Sequence, residues 1–432
     1  MSLYLKQIKN LLQKNNVFLS GGAGVGKSYT TELIKKDFIN ERKKVVSLGS
    51  TAISALNING MTIHSFFCFG ICANLNELLA FDKKQKKKLE KLYKQIKNTD
   101  LIIIDEISMV SAKLFDMIGF RLKEFDGKIL VVGDFFQLPP VLKDDDKNIF
   151  TNSNYAFSSL YWQSLSFKNL LLTVSKRTSD KEFYSKLSAI RKNEIDDSVL
   201  KYFENFLISD SSFLDDDFTM LCSTNKKADF INKKKLSMLE GEFITLKGKE
   251  DKRNLSDKQY EKWLNTLTIQ KELSIKIGAK IIFCVNSYEN AYYNGEQGFI
   301  NDIYEDDNDL VLEIQKNNDE IIFLKPYTFK MINFTEEEDE ILASFTQFPI
   351  KPAYAITIHK SQGMSIDKLA CDIDFIFEKG QLYVALSRAS NPKTLLIIYS
   401  NPKNFKQYFK EALKLDKLVF DFYKKNEFIM LE

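Results

Sequence analysis

Short apolar runs alternate with longer amphipathic stretches along the first third of the chain. Residues 16–20 (NVFLS), 44–48 (KVVSL), 101–104 (LIII) and 129–132 (ILVV) are rich in branched apolar residues and too short for helices. Residues 28–40 and other intervening segments read as helices, so the pattern predicts an α/β fold around a parallel sheet. A second set of strand-like runs begins at Phe218 (FTMLCSTN) and resumes at Ala353 (AYAITIH) and Thr394 (TLLIIYS).

Two stretches break this rhythm. Residues 70–98 carry a lysine-rich, helical pattern (FDKKQKKKLEKLYKQIKN), whose charge run reads first as a solvated helix face and second as a DNA contact. Residues 281–329 hold many short β runs with Asn-Gly and Asp-Asp-Asn turn signals, the pattern of a small all-β insert. The acidic runs 144–146, 215–217 and 335–340 are expected in loops.

Composition narrows the class without choosing a function. With 432 residues the chain suits two or three domains of about 150 residues each. No stretch reaches the roughly 18 uncharged apolar residues of a membrane span, and lysines interrupt the first sixteen residues (MSLYLKQIKNLLQKNN) where a secretory core would lie. A cytoplasmic location is the expectation. The net charge of +3 means that any nucleic-acid surface must be local. Five scattered cysteines and two histidines argue for reduced thiols and against structural zinc. Arginine occurs only at 42, 121, 177, 191, 253 and 388. In a lysine-rich chain, an arginine inside a motif points to a need for its planar fork of donors.

The chemistry begins at residues 21–28 (GGAGVGKS), a G-x-x-x-x-G-K-[ST] phosphate loop between a strand and a helix. Its glycines let backbone N–H groups wrap phosphates, Lys27 reaches the β- and γ-phosphates, and Ser28 ligates Mg²⁺. The run 101–104 ends in Asp105-Glu106. Read alone, that pair is equally a helix N-terminal acid pair. After a phosphate loop it reads as Asp105 holding Mg²⁺ through water and Glu106 activating the attacking water. Gln137, in GDFFQLPP, is placed to sense the γ-phosphate or that water, unless the segment is a plain strand-end turn. Arg388 closes the apolar segment QLYVALSR, residues 359–365 (HKSQGMS) form a polar glycine-containing loop, and Arg177 lies in LLTVSKRT. Either arginine is an arginine-finger candidate; a surface or ion-pair role is the competing reading.

Together these segments resemble the petite-integration-frequency (PIF-one) family of superfamily 1B DNA helicases, and less closely the phage Dda and RecD-like helicases. The resemblance runs from about residue 17 to 400: GGAGVGKS is similar to motif I, STAISALNINGMTIHSFF to Ia and Ib, LIIIDEISM to II, GDFFQLPPV to III, FPIKPAYAITIHKSQGMS to V and QLYVALSRA to VI. It implies two RecA-like parallel-sheet lobes: 1A at 1–69 and 98–175, and 2A at 176–286 and 346–432. A wedge insertion, 1B, would occupy 70–97, and an SH3-like β insertion, 2B, would occupy 287–345.

The resemblance also implies a use for each matched residue. Gly22, Ala23, Gly24, Val25, Gly26, Lys27, Ser28, Tyr29 and Gly363 would hold ATP with Mg²⁺, and Arg177 and Arg388 on lobe 2A would reach the γ-phosphate. Thr51, His64, Phe66, Thr224, Asn225, His359, Lys360 and Ser361 would contact single-stranded DNA, with Phe66 or Phe67 as a stacking platform. Gln7 stands closer to the phosphate loop than the adenine-reading glutamine of the family. Family members move 5′→3′ and open forked duplexes, RNA–DNA hybrids or G-quadruplexes; a monomer is expected. A DNA-dependent translocase that remodels protein–DNA complexes without unwinding, a nucleotide-gated binding module and an RNA helicase are the other classes considered.

Overall fold

The computed structural model describes residues 3–70, 72–140, 155–209, 214–253, 255–265, 267, 269–285, 287, 292–306, 309–333 and 340–432. The acidic runs expected at 144–146 and, except for residue 340, at 335–340 lie outside these residues, as does Val141 of GDFFQLPPV. No described helix is long and apolar enough to cross a membrane. The chain divides into two compact units, Met1–Glu194 with Glu378–Tyr383 and Leu413–Glu432, and Ile195–Phe377 with Val384–Ala412.

The first unit is built on a seven-stranded sheet in the order Ile429–Leu431, Lys168–Leu172, Val17–Gly21, Lys128–Gly133, Leu101–Asp105, Val45–Gly49, Met61–Thr62, with every pair parallel. Its central strands are buried on both faces, which is why they appear as unbroken apolar runs. Successive side chains alternate sides. Val17, Leu19, Leu101, Ile103, Leu130 and Val132 pack with the helices Leu3–Leu12 and Lys27–Asn40. Phe18, Ile102, Ile104 and Val131 pack with Phe115, Trp162 and Val419 on the other face.

The lysine-rich stretch forms the helices Leu75–Asp82 and Lys86–Lys97, the second burying Leu89, Leu92 and Ile96 while Lys83, Lys84, Lys86 and Lys87 stay exposed. The stretch is anchored by Arg121, fully buried, whose guanidinium donates to both carboxylate oxygens of Asp82 at 2.6 and 2.7 Å and to the Phe67 carbonyl at 2.9 Å. A lysine cannot make that fork.

The second unit contains the parallel sheet Ala355–Thr357, Thr219–Cys222, Leu369–Asp372, Leu395–Ile398, Leu207–Ile208; the first, second and fourth of these strands are the runs expected from the sequence, and the other two were not expected. It also holds an antiparallel sheet ordered Ile321–Leu324, Asp309–Lys316, Gln297–Asp306, Lys280–Phe283, Ile350–Pro352. Smaller antiparallel sheets join Lys249–Asp251, Glu340–Gln347 and Tyr327–Asn333, and Ile244–Lys247 with Glu272–Ile275. The expected Asn294-Gly295 turn is present, with Gly295 in the left-handed region at φ 94°.

Three expected boundaries shift. The β region reaches beyond 287–345 at both sides, because strands from 249 and up to 352 complete its ladders. The first unit continues past 175 to Glu194, carrying Arg177 with it. Residues 378–383 and 413–432, expected in lobe 2A, join the first unit: Ile429–Leu431 pairs with Lys168–Leu172 and covers what is otherwise an open sheet edge.

Candidate nucleotide site and nucleic-acid contacts

Three consecutive strands of the first sheet, Val17–Gly21, Lys128–Gly133 and Leu101–Asp105, deliver the chemistry at their carboxyl ends, where open α/β sheets place ligands. After the first strand the chain turns through Gly24 (φ 75°) and Gly26 (φ 87°), left-handed positions that glycine adopts without strain. A Cβ on Gly24 would also lie 2.5 Å from Cβ of Arg177. Lys27 then starts the helix, and its Nζ donates to the carbonyls of Gly21 (2.8 Å) and Gly22 (2.9 Å). Burial pushes the Lys27 pKa down, against the opposing pull of Asp134, Glu106 and Asp105. Ser28 and Tyr29 are exposed beside it.

Asp105 ends its strand buried, and burial together with the Glu106 charge pushes its carboxyl up to about 7. Its Oδ1 accepts the Glu106 N–H at 2.9 Å. Glu106 has φ 52°, a left-handed conformation uncommon for a residue with a side chain and concentrated at functional sites. On the middle strand, Asp134 follows Gly133, and the turn to buried Gln137 is closed by Gln137 N–H donating to the Asp134 carbonyl at 2.9 Å.

Four residues that the sequence reading left without a role complete this region. Arg191 donates to both oxygens of Asp134, 2.9 Å from Nε and 2.8 Å from Nη2, with both side chains buried. Burial works against the Arg191 charge, but Asp134 more than restores it and the pKa is raised. The guanidinium lies over the rings of Phe136 (4.7 Å) and Tyr423 (5.3 Å). Tyr423 hydrogen-bonds Ser20 at 2.6 Å and donates to Asp134 at 3.4 Å. Tyr383 Oη accepts the Ala23 N–H at 2.8 Å, so one amide of the phosphate loop is already engaged. The rarity of arginine was the one signal for Arg191; Tyr383 stands within QLYVALSRA without a sign of this contact, and nothing local marks Tyr423.

The remaining expected residues are dispersed. Arg177 belongs to the first unit, where its N–H and that of Lys176 donate to the Gly24 carbonyl at 3.1 and 2.7 Å. It braces the phosphate loop from the same unit, a correction to its expected place on lobe 2A. Gln7 is exposed on the first helix. Thr51 is bonded to Ser54, and His64 is exposed on the short helix Ile63–Phe66. Phe66 and Phe67 are both buried, 4.9 Å apart edge to face, so neither ring presents the open face a stacking platform needs.

In the second unit Thr224 caps the helix Asn225–Met238, and Thr224 and Asn225 are exposed. His359 and Lys360 are half-buried, and Gly363 is exposed. Ser361 is buried with its hydroxyl donating to the Ile358 carbonyl at 2.7 Å, which shapes the loop instead of presenting the hydroxyl. Arg388 is also buried: its guanidinium donates to the carbonyls of Val384 (3.0 Å), Ser361 (3.3 Å) and Met364 (3.4 Å).

Comparison with known proteins finds relatives along nearly the whole chain. The family model described as PIF1-like helicase matches residues 4–201, and a second model, described as Helicase, matches 293–426. A Campylobacter jejuni protein named ATP-dependent DNA helicase Pif1 is 53% identical, over 99% of this chain and 98% of its own length. The crystal structure of Bacteroides sp. Pif1 in complex with ADP-AlF4 superposes with a TM-score of 0.81 at 27% identity, covering 98% of this chain and 96% of that one. Bacteroides Pif1 bound to ssDNA gives 0.69 at 27%, with the same coverage. On this near-complete match and the phosphate-loop geometry, the chain belongs to the PIF1-like helicase family.

Proposed function

We propose that this chain hydrolyses ATP to move 5′→3′ along single-stranded DNA and separates duplex or structured DNA as it goes. The observation that carries the reading is the convergence of Lys27, Asp105 and Glu106 at the carboxyl ends of two strands of one sheet, close enough that Lys27 feels both carboxylates. The relative named an ATP-dependent DNA helicase and the neighbour solved with ssDNA support the choice of substrates.

The amides of the glycine loop, the start of the helix at Lys27 and Lys27 itself suit a triphosphate. For that to bind, Lys27 exchanges the Gly21 and Gly22 carbonyls for phosphate oxygens, and Ala23 N–H leaves Tyr383. Mg²⁺ fits the exposed Ser28 hydroxyl and Asp105, a carboxyl whose burial and acidic neighbour favour a cation beside it. When bound, the ion neutralises charge on the β- and γ-oxygens. Glu106 orients the attacking water and takes its proton, with Gln137 close to the same water. Arg177 and Arg388 are assigned to the γ-phosphate, and Arg388 must first release the carbonyls of Ser361 and Met364. Thr51, His64, Thr224, Asn225, His359 and Lys360 are the assigned strand contacts; phosphate contacts make the grip salt-dependent and tolerant of sequence.

The test is ATP-driven opening of forks carrying only a 5′ or only a 3′ tail. The reading expects the 5′-tailed fork to open. Strand movement without opening on either fork would assign the chain to the translocases that remodel protein–DNA complexes instead.

A further inference from the structure

A small open cleft of about 60 Å³ in the second unit is lined by Asn225, Asn232, Gln270, Lys351, Thr357 and Lys360, with Asp229 at its exposed edge. Lys351 is 8% exposed, and among the described residues its Nζ has no hydrogen-bond partner. A buried ammonium without a partner costs free energy unless an anion arrives to meet it. Its strand, Ile350–Pro352, is held in register by Lys280–Phe283, with Lys351 opposite Ile282, so the side chain stands on a fixed backbone.

The neighbours point the same way. Burial and the Lys351 charge both lower the pKa of Lys360, against the opposing effect of Asp229. Lys360 is fixed at its backbone, where N–H donates to Thr357 Oγ1 at 3.4 Å. Asn232 bonds the main chain of Ala355 through both amide atoms, 2.7 and 2.9 Å, and so lines the cleft without competing for an incoming anion. Two ammonium groups facing one carboxylate leave the cleft net positive.

We infer that this cleft binds one backbone phosphate of single-stranded DNA and that Lys351 is its buried cation, a residue of FPIKPAYAITIHKSQGMS to which the sequence assigned no role. The assignment rests on the proposed DNA function, since Asn225 and Lys360 of the cleft are also strand contacts there.

The experiment measures binding of a fluorescein-labelled oligothymidylate to the full chain by anisotropy across a range of sodium chloride. Lys351→Met is expected to weaken binding about tenfold and to flatten the slope of log K against log salt by about 0.7, the value of one phosphate on a single strand. An oligodeoxycytidylate should show the same change. Lys351→Arg should retain the parent slope. Lys351→Met should melt no lower than the parent, because it removes an unpartnered buried charge; Lys351→Gln is the second variant if the Met protein fails to fold. An unchanged slope and affinity in a folded variant overturns the inference and leaves the helicase reading intact. A parent chain that does not bind the oligonucleotide sinks that reading and this one with it. Inorganic phosphate in place of the oligonucleotide separates the sources: Lys351-dependent binding of the free ion, with none of the strand, also overturns the assignment.

Discussion

Arg191 holds Asp134 through two hydrogen bonds, 2.9 and 2.8 Å, where both side chains are buried. The pair ties the helix Lys181–Lys192 to the loop that leads to Gln137, and the Arg191 side chain passes close to Gly22 of the phosphate loop, Cδ lying 3.7 Å from where a Cβ on that glycine would stand. Removing one partner strands the other charge. Arg191→Ala or Asp134→Ala is therefore expected to cost about 3–5 kcal/mol in urea unfolding. The double replacement Arg191→Ala with Asp134→Ala should cost clearly less than the two single changes added together. Strict additivity would show that the pair is not coupled.

Tyr383 occupies an amide that a phosphate oxygen needs. Tyr383→Phe removes the acceptor from Ala23 N–H and keeps the ring, so ADP binding is expected to tighten by about two- to tenfold, the worth of one neutral hydrogen bond. Isothermal titration of both proteins with ADP is the check. Weaker binding by the Phe variant would mean that the hydroxyl supports the loop and does not compete with the ligand.

Glu106 combines chemistry with backbone strain. At φ 52° glycine is the residue of least strain, so Glu106→Gly is expected to leave stability unchanged or raise it by up to about 1 kcal/mol, while hydrolysis falls by orders of magnitude. Glu106→Gln should keep nucleotide affinity and lose turnover. A marked loss of stability in the Gly variant would place the role of Glu106 in the fold instead.

The pH response of Asp105 runs opposite to that of a salt-bridged carboxylate. Its folded pKa, about 7, lies above the usual carboxylate value because of burial and Glu106. The unfolded chain thus releases this proton first as pH rises. The group's contribution to stability therefore falls between the usual carboxylate range and about pH 7, by at most about 1.4 kcal/mol for each step of one in pH. Asp105→Asn should stabilise the nucleotide-free protein more at pH 8 than at pH 5, read from thermal midpoints across that range. An equal gain at both pH values contradicts the raised pKa.

Much of the first unit was legible because its signals are local. Buried parallel strands such as Leu101–Asp105 are continuous apolar runs, and the phosphate loop is eight adjacent residues. What escaped reading depends on distance along the chain. Asp134 meets Arg191 across 57 positions and Ala23 meets Tyr383 across 360, and neither pair has a periodic signature. Ile429–Leu431 is a strand only because an open edge at Lys168–Leu172 receives it. Phe66 and Phe67 carried an ambiguity that composition cannot resolve, since an aromatic pair serves a core or a base equally well; burial decides for the core.

The most direct measurement is phosphate release from Mg-ATP, with and without single-stranded DNA, by the parent chain and by Lys27→Ala. The account predicts hydrolysis that DNA stimulates in the parent and that is abolished in the variant. Hydrolysis by Lys27→Ala at a rate near the parent's, still responsive to DNA, would contradict it.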